Sequence, residues 1–336
     1  MIVITVQAAD ALHHNFVSYR MNGERPAVFC RSFTDRREMN IALELGGIVF
    51  EICSERELAI SENLSPFLCE KKIQPEIQIQ ITWDWEHAHH PSTEPIGEDL
   101  LQEYYKEGIF WFCESKGGKA PVTCTCYRED FRWMQCAINE KPFLEPPDTL
   151  EKILRLLPMR AVFVHFRTLF LHASQAALDG TGIVFAAPSG TGKTTQAKLW
   201  RDHMNARFVC NDRTLLRNKD GVWYTYGYPI DGSEPVRSNM VNRLGCIVLL
   251  KQGKHNFVTR LRPGRAVRLL MEQMVLDCWN VEAKMEITGI LLELFEKIPV
   301  YEQVCTPEFE AVEELKRQLI QDEVIKDGTD SEKSLG

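Results

Sequence analysis

The sequence predicts an α+β protein. A β-rich domain is expected over residues 1–147. A second domain over 148–321 is expected to carry a phosphate-binding loop on a mixed sheet, with a charged tail over 322–336 predicted to be disordered. Three observations predict this. Apolar and polar residues alternate with period two through much of the first 147 positions, the mark of half-buried strands. An apolar run ends at Ala187 in the loop S-G-T-G-K-T-T (189–195), and helical character follows it. Strand-like runs around that loop succeed one another with only turn signals between them, where a parallel α/β sheet would interpose helices.

The composition suits a soluble globular chain. The 336 residues are 44% hydrophobic and 26% charged, enough for two domains. A formal charge of −8 argues against nucleic acid as a partner, because a phosphate backbone is held by surplus Lys and Arg. No apolar stretch reaches the roughly 20 residues of a membrane helix. The first residues lack a basic n-region and a cleavage site. Eleven scattered cysteines, among them Cys53, Cys113, Cys136 and Cys246 in apolar runs, read as reduced core residues of a cytoplasmic protein.

Taken in order, Ile2, Ile4 and Val6 alternate, and Val49, Glu51 and Cys53 lie in a short strand. Ile77, Ile79, Ile81, Trp83 and Trp85 alternate with polar residues and predict a strand over 77–85. Strands over 109–113, 122–127 and 131–138, joined by turn residues such as Gly117 and Gly118, predict an antiparallel meander. The cluster Glu86, His87, His89 and His90 has no second ligand set at zinc-like spacing and reads as a solvated loop. Cys124 and Cys126 share one face of a strand and read as core.

Pro146 and Pro147 mark the linker. A helix over 148–157 follows, with Asp148 as its N-cap, Leu150, Ile153, Leu154 and Leu157 as its stripe, and Pro158 beyond its end. Residues 161–165 and 169–172 read as strands. Asp179 and Gly180 turn the chain between strands over 171–178 and 183–187. After the loop and its helix come a strand over 206–210, a hairpin around 218–221, and a Gly/Pro-punctuated loop over 226–239 of functional length. Strands over 245–250 and 256–260 are expected to pair. Helices begin at Arg262 and at Thr306, the latter with Thr306 as cap, Pro307 in the first turn and Phe309, Val312, Leu315 and Leu319 as its apolar face.

The loop is the candidate site. Glycines Gly190 and Gly192 let the backbone curl so that N–H groups point at one centre, and the helix N-terminus adds unpaired N–H groups and the positive dipole end. Pro188, Ser189, Gly190, Thr191, Gly192, Lys193, Thr194 and Thr195 form the expected phosphate cradle. Lys193 is the side chain for the outer phosphates, and Thr194 the hydroxyl for Mg²⁺. Ala187 stands where the first glycine of the general motif would fall.

Three stretches then carry a resemblance: Leu171-His-Ala-Ser174, the run from Gly180 to Thr195, and Phe208-Val-Cys-Asn-Asp-Arg213. Together they resemble the C-terminal catalytic domain of HPr kinase/phosphorylase, and the loop is also similar to that of ATP-dependent phosphoenolpyruvate carboxykinase, which shares the nucleotide-binding fold. The likeness spans roughly residues 165–320; the first 150 do not resemble the N-terminal domain of HPr kinase. The resemblance implies ATP and Mg²⁺ as cofactors, Lys193 on the phosphates, Asp212 as metal contact or base on an acceptor hydroxyl, and His172 beside the phosphates. The family has two aspartates where this chain has Asn211 and Asp212, and its phosphorylase signature is not recognisable here, so neither the reverse reaction nor HPr as acceptor is implied. The expected activity is transfer of a phosphoryl group from ATP to a serine-type hydroxyl on a free amino acid, a peptide or a protein. A nucleotide-binding regulatory or assembly module without turnover is the alternative. Arg237 and Arg260 are candidates to stabilise transferred charge, and Tyr224, Tyr226 and Tyr228 to line a pocket. No membrane partner is expected, and a homo-oligomer is compatible with the sequence, which does not set the oligomeric state.

Overall fold

Glycine-rich turns and alternating strands build two mixed sheets. The structure, a computed structural model, describes residues 39–69, 73–88, 90–91, 101–115, 121–229, 238–276 and 281–326. The expected first strand at Ile2, Ile4 and Val6, the turn residues Gly117 and Gly118, His89, Arg237 and the tail from 327 lie outside the described residues.

The first sheet holds β1 (Met39–Leu45), β2 (Ile48–Ser54), β3 (Leu68–Cys69), β4 (Ile77–Thr82), β5 (Leu101–Lys106), β6 (Ile109–Ser115), β7 (Pro121–Arg128) and β8 (Trp133–Ile138). Its order is β3-β1-β2-β4-β8-β7-β6-β5. Gly46 and Gly47, at φ 63° and 72°, make the tight turn between β1 and β2. The meander of β6, β7 and β8 is antiparallel as expected, while β4 lies parallel to both β2 and β8. In β4, Ile77, Ile79 and Ile81 are buried and Gln78 is exposed, so the period-two reading holds up to Thr82. The strand stops there: Trp83 and Trp85 lie beyond it, and the Arg56 guanidinium sits 4.7 Å from the Trp83 ring centre. In the adjoining loop His87 pairs with Asp84 and His90 with the Trp85 carbonyl.

Two short helices follow, α1 (Leu150–Leu154) and α2 (Met159–His165). The cap of α1 is Thr149, whose hydroxyl accepts from Lys152 N, and Asp148 instead pairs with the Lys152 ammonium. The strand expected over 161–165 is the helix α2. Met159, Val162 and Phe163 are its buried residues, a spacing of three and four that belongs to a helix and that a five-residue apolar run does not disclose.

The second sheet is built from β9 (Thr168–Leu178), β10 (Thr181–Ala186), β11 (Arg207–Cys210), β12 (Arg213–Lys219), β13 (Val222–Tyr226), β14 (Val241–Gln252), β15 (Phe257–Arg260) and β16 (Val300–Cys305). Its order is β10-β9-β12-β13-β14-β16-β15, and an added pairing of β10 with β14 closes β9, β10, β14, β13 and β12 into a ring. The sheet is mixed, as the strand order predicts: β14 runs parallel to β10 and β16, and the other pairs are antiparallel. The pairing expected between the strands near 245–250 and 256–260 is not made. β16 inserts between β14 and β15, a non-local partner that local pattern does not reveal.

Helices α3 (Lys193–Met204) and α6 (Phe309–Gln321) cover one face of this sheet, with Trp200, Phe185, Tyr301 and Leu315 buried between. Helices α4 (Pro263–Met271) and α5 (Val281–Phe295) cover Leu171 and Ile247 on the other, with Leu291 of α5 buried in the same cluster. The cap of α6 is Glu308 rather than Thr306, whose N–H is taken by Asn256 Oδ1 at 2.8 Å. Residues 322–326 stay packed: Asp322 Oδ2 accepts from the Tyr301 hydroxyl at 2.6 Å and Ile325 is buried. A third cluster joins Ile52, Ile79 and Met134 of the first sheet to Ile153, Phe163, Phe170, Leu215 and Tyr228, so apolar side chains from both sides of Pro147 share one core. No helix of the described residues is long and apolar enough to cross a membrane.

Candidate active site

The loop between β10 and α3 is formed by residues that need its geometry. Gly190 and Gly192 have φ of 77° and 111°, in the left-handed region that favours glycine. A Cβ on either would meet nothing within 4 Å, so both face open space. Thr191 N–H donates to the Pro188 carbonyl at 3.3 Å, and Gln252 Nε2 on β14 donates to the Gly190 carbonyl at 3.1 Å. Helix α3 starts at Lys193 with Gly192 in the cap position and no side chain capping it. Its first-turn N–H groups have no intrahelical acceptors.

Lys193 is buried, and its ammonium donates to the carbonyls of Ala187 at 2.8 Å and Pro188 at 3.2 Å. Burial lowers its pKa, and the Asp212 charge works the other way. The site therefore holds a cation whose bonded partners are neutral carbonyls beside an uncapped helix end. Both features fit an anionic polyphosphate.

The antiparallel strand β9 brings the remaining groups alongside. Its alternation sends Phe170, His172 and Ser174 to one face, while Leu171 and Ala173 go to the α4–α5 side. Asp212 sits in the turn between β11 and β12. Its carboxylate lies 3.0 Å from His172 Nε2 and 3.4 Å from Arg213 Nε. The His172 hydrogen bond is the first cause that holds the Asp212 pKa below its usual range, opposed by burial and aided by the charges of His172, Arg213 and Lys193. Thr194 Oγ1 lies 3.5 Å from both Ser174 Oγ and the Asn211 carbonyl, contacts long enough to leave the hydroxyl available. Ser174 Oγ donates to that same carbonyl at 2.7 Å. Asn211 is itself buried, and its Oδ1 has no hydrogen-bond partner among the described residues.

Lys193, Thr194, His172 and Asp212 thus converge, and Pro188 to Thr195 wrap the point of convergence. Arg260 does not join them. It is on β15, the outer strand, and faces Asp322 at 3.7 Å. Of the tyrosines, Tyr226 and Tyr228 both pack into the shared core, and Tyr228 reaches the site only through Phe170, with ring centres 4.8 Å apart. Ser174 and Arg213 were not singled out from the sequence. The signal was there: Ser174 follows His172 by two on one strand, and Arg213 is the direct cross-strand partner of His172.

No family model and no curated protein matches the chain. Among solved structures, the Hpr(Ser) kinase/phosphatase from Coxiella burnetii is similar over 46% of this chain and 89% of its own, at 11% identity and a TM-score of 0.26. A likeness of that size leaves the reading of the site to the site's own geometry.

Proposed function

We propose that this protein is a kinase that transfers the terminal phosphoryl group of ATP to a serine-type hydroxyl on an amino acid, a peptide or a protein. The observation that supports it is the convergence of a buried Lys193 ammonium at an uncapped helix end with a histidine-held Asp212 carboxylate in the turn between β11 and β12. Phosphoryl transfer asks a protein mainly for positioning and charge neutralisation. Lys193 and the N–H groups of the loop would hold the triphosphate. Asp212 would take the acceptor proton as the hydroxyl oxygen bonds to phosphorus and ADP leaves, and His172 would keep the carboxylate aimed and ionised. Thr194 and Asp212 are the oxygen donors that would hold Mg²⁺, which when bound would neutralise phosphate charge.

One observation favours a second reading, a nucleotide-binding module without turnover. Asn211 supplies an inward-turned, uncharged amide where a second carboxylate would add a metal contact. Incubation with Mg-ATP and a pool of amino acids and cell peptides separates the two. A kinase forms ADP and a phosphorylated product visible by mass spectrometry, Lys193→Ala forms neither, and Asp212→Asn forms both far more slowly. ATP binding by calorimetry with no transfer to any member of the pool sinks the kinase reading in favour of the module.

A further inference from the structure

On the side of Asp212 away from the loop, Arg213 borders the site and lies against the buried Phe170 ring, which packs on Tyr228. Arg213 stands across from His172 on β12, with β9 between it and the strand that carries the loop. Two strand spacings, about 10 Å, therefore separate its strand from that of the phosphate cradle. Its guanidinium carbon lies 5.5 Å from the Phe170 ring centre, and Phe170 in turn contacts Tyr228 and Phe163. The side chain is only 32% exposed. Its Nε meets Asp212 at 3.4 Å, and among the described residues no other hydrogen-bond or ion-pair partner is engaged. An arginine has five donors in a planar fork, and among the described residues only Nε of this one meets a partner, while the Phe170 ring lies against the guanidinium. Burial pushes the Tyr228 phenol up to about 12, and the charges of Arg213, Arg155 and Arg160 act on it in the opposite direction.

From this placement we infer that the acceptor carries a carboxylate close to its hydroxyl, and that Arg213 binds that carboxylate while Asp212 receives the hydroxyl. The inference rests on the kinase reading for the identity of the pocket as an acceptor site. Phosphates at the loop, the base in the middle and the guanidinium beyond it place the two anionic ends of the reacting pair on opposite sides of Asp212. A guanidinium pairs a carboxylate through two parallel hydrogen bonds, which also orients the hydroxyl.

The test is a binding measurement on the full chain with Mg-ADP present, so that no turnover is needed. Calorimetric titrations compare matched probes: L-serine with L-serinamide, glycerate with glycerol, and glycyl-serine with its amide. The carboxylate member of at least one pair should bind about tenfold tighter, the worth of one charge-assisted pairing. Arg213→Gln should bring that ratio to within about twofold, and Arg213→Lys should keep part of it. Circular dichroism melting confirms that each variant folds. Equal affinities within every pair, no binding by any carboxylate probe, or a preference that survives Arg213→Gln overturns the inference. Separate assays of transfer from ATP tell the two claims apart. Transfer that ignores the carboxylate removes this inference and leaves the kinase, whereas a carboxylate preference without any transfer removes the kinase.

Discussion

Asp212→Asn removes one charge and almost no volume, which makes it the sharpest probe of the proposed base. In the native protein the carboxylate meets His172 at 3.0 Å and Arg213 at 3.4 Å. The side chains of His172 and Asp212 are 35% and 27% exposed, so solvent screening limits the contact to about 1 kcal/mol of stability. A loss of that size lowers the melting temperature by about 2–4 °C. Loss of a general base slows the chemical step by about 10²–10⁴, or roughly 2.7–5.4 kcal/mol of barrier. The two magnitudes separate a catalytic role from a structural one. Steady-state ADP release with an acceptor found in the pool should show kcat reduced by that factor, with melting nearly native. A kcat within about threefold of wild type would refute the assignment, as would a loss of activity matched by a melting temperature lower by more than about 8 °C. The pH dependence carries a sign. The folded-state pKa of Asp212 lies below its usual value because of the His172 bond. The stability it contributes is thus present above the ordinary carboxylate range and is lost as pH falls through the lowered folded value. Wild type and Asp212→Asn should converge in stability in acid, as measured by urea unfolding across pH.

Three further outcomes are expected. Mg-ATP at about 100 times its dissociation constant should stabilise the wild type by roughly 2.7 kcal/mol, and Lys193→Ala should abolish that thermal shift; a full shift in the variant would contradict the cradle. Gly182→Ala places a Cβ 2.4 Å from Thr225 Cγ2 inside the closed ring of strands, so urea unfolding should show a loss of about 1–3 kcal/mol. Burial pushes the thiols of Cys126 and Cys136 up to about 12, so iodoacetamide at pH 8 should leave both unmodified in the folded protein and label them after denaturation, read by peptide mapping.

What could be read from the sequence was local. The loop, its helix and the turns at Asp179-Gly180 and Asp220-Gly221 are encoded within a few residues, and all four turn residues adopt positive φ. The mixed sheet was legible because strand runs followed one another without intervening helices. Other features depend on partners far along the chain. β16 separates β14 from β15, and no pattern near either strand announces it. The helix α5 and strands β1 and β5 also went unpredicted. The short apolar run at 161–165 suits strand or helix equally until Met159, Val162 and Phe163 find the shared core. Thr306 has the chemistry of a cap, but Asn256 claims its backbone. In the site, His172, Lys193, Thr194 and Asp212 were named by motif. Arg213 needed the register of β9 against β12, which sets it across from His172, whereas Ser174 shares the face of His172 by the alternation of β9.

The central claim is that the terminal phosphoryl group leaves ATP for a hydroxyl oxygen. Phosphorus NMR of Mg-ATP with the protein and its acceptor pool tests this directly. The account predicts that the γ resonance decays, the ADP resonances grow and a phosphomonoester resonance appears at the same rate, with Asp212→Asn slower by about 10²–10⁴. An unchanged ATP spectrum, or conversion to ADP and inorganic phosphate alone, would contradict it.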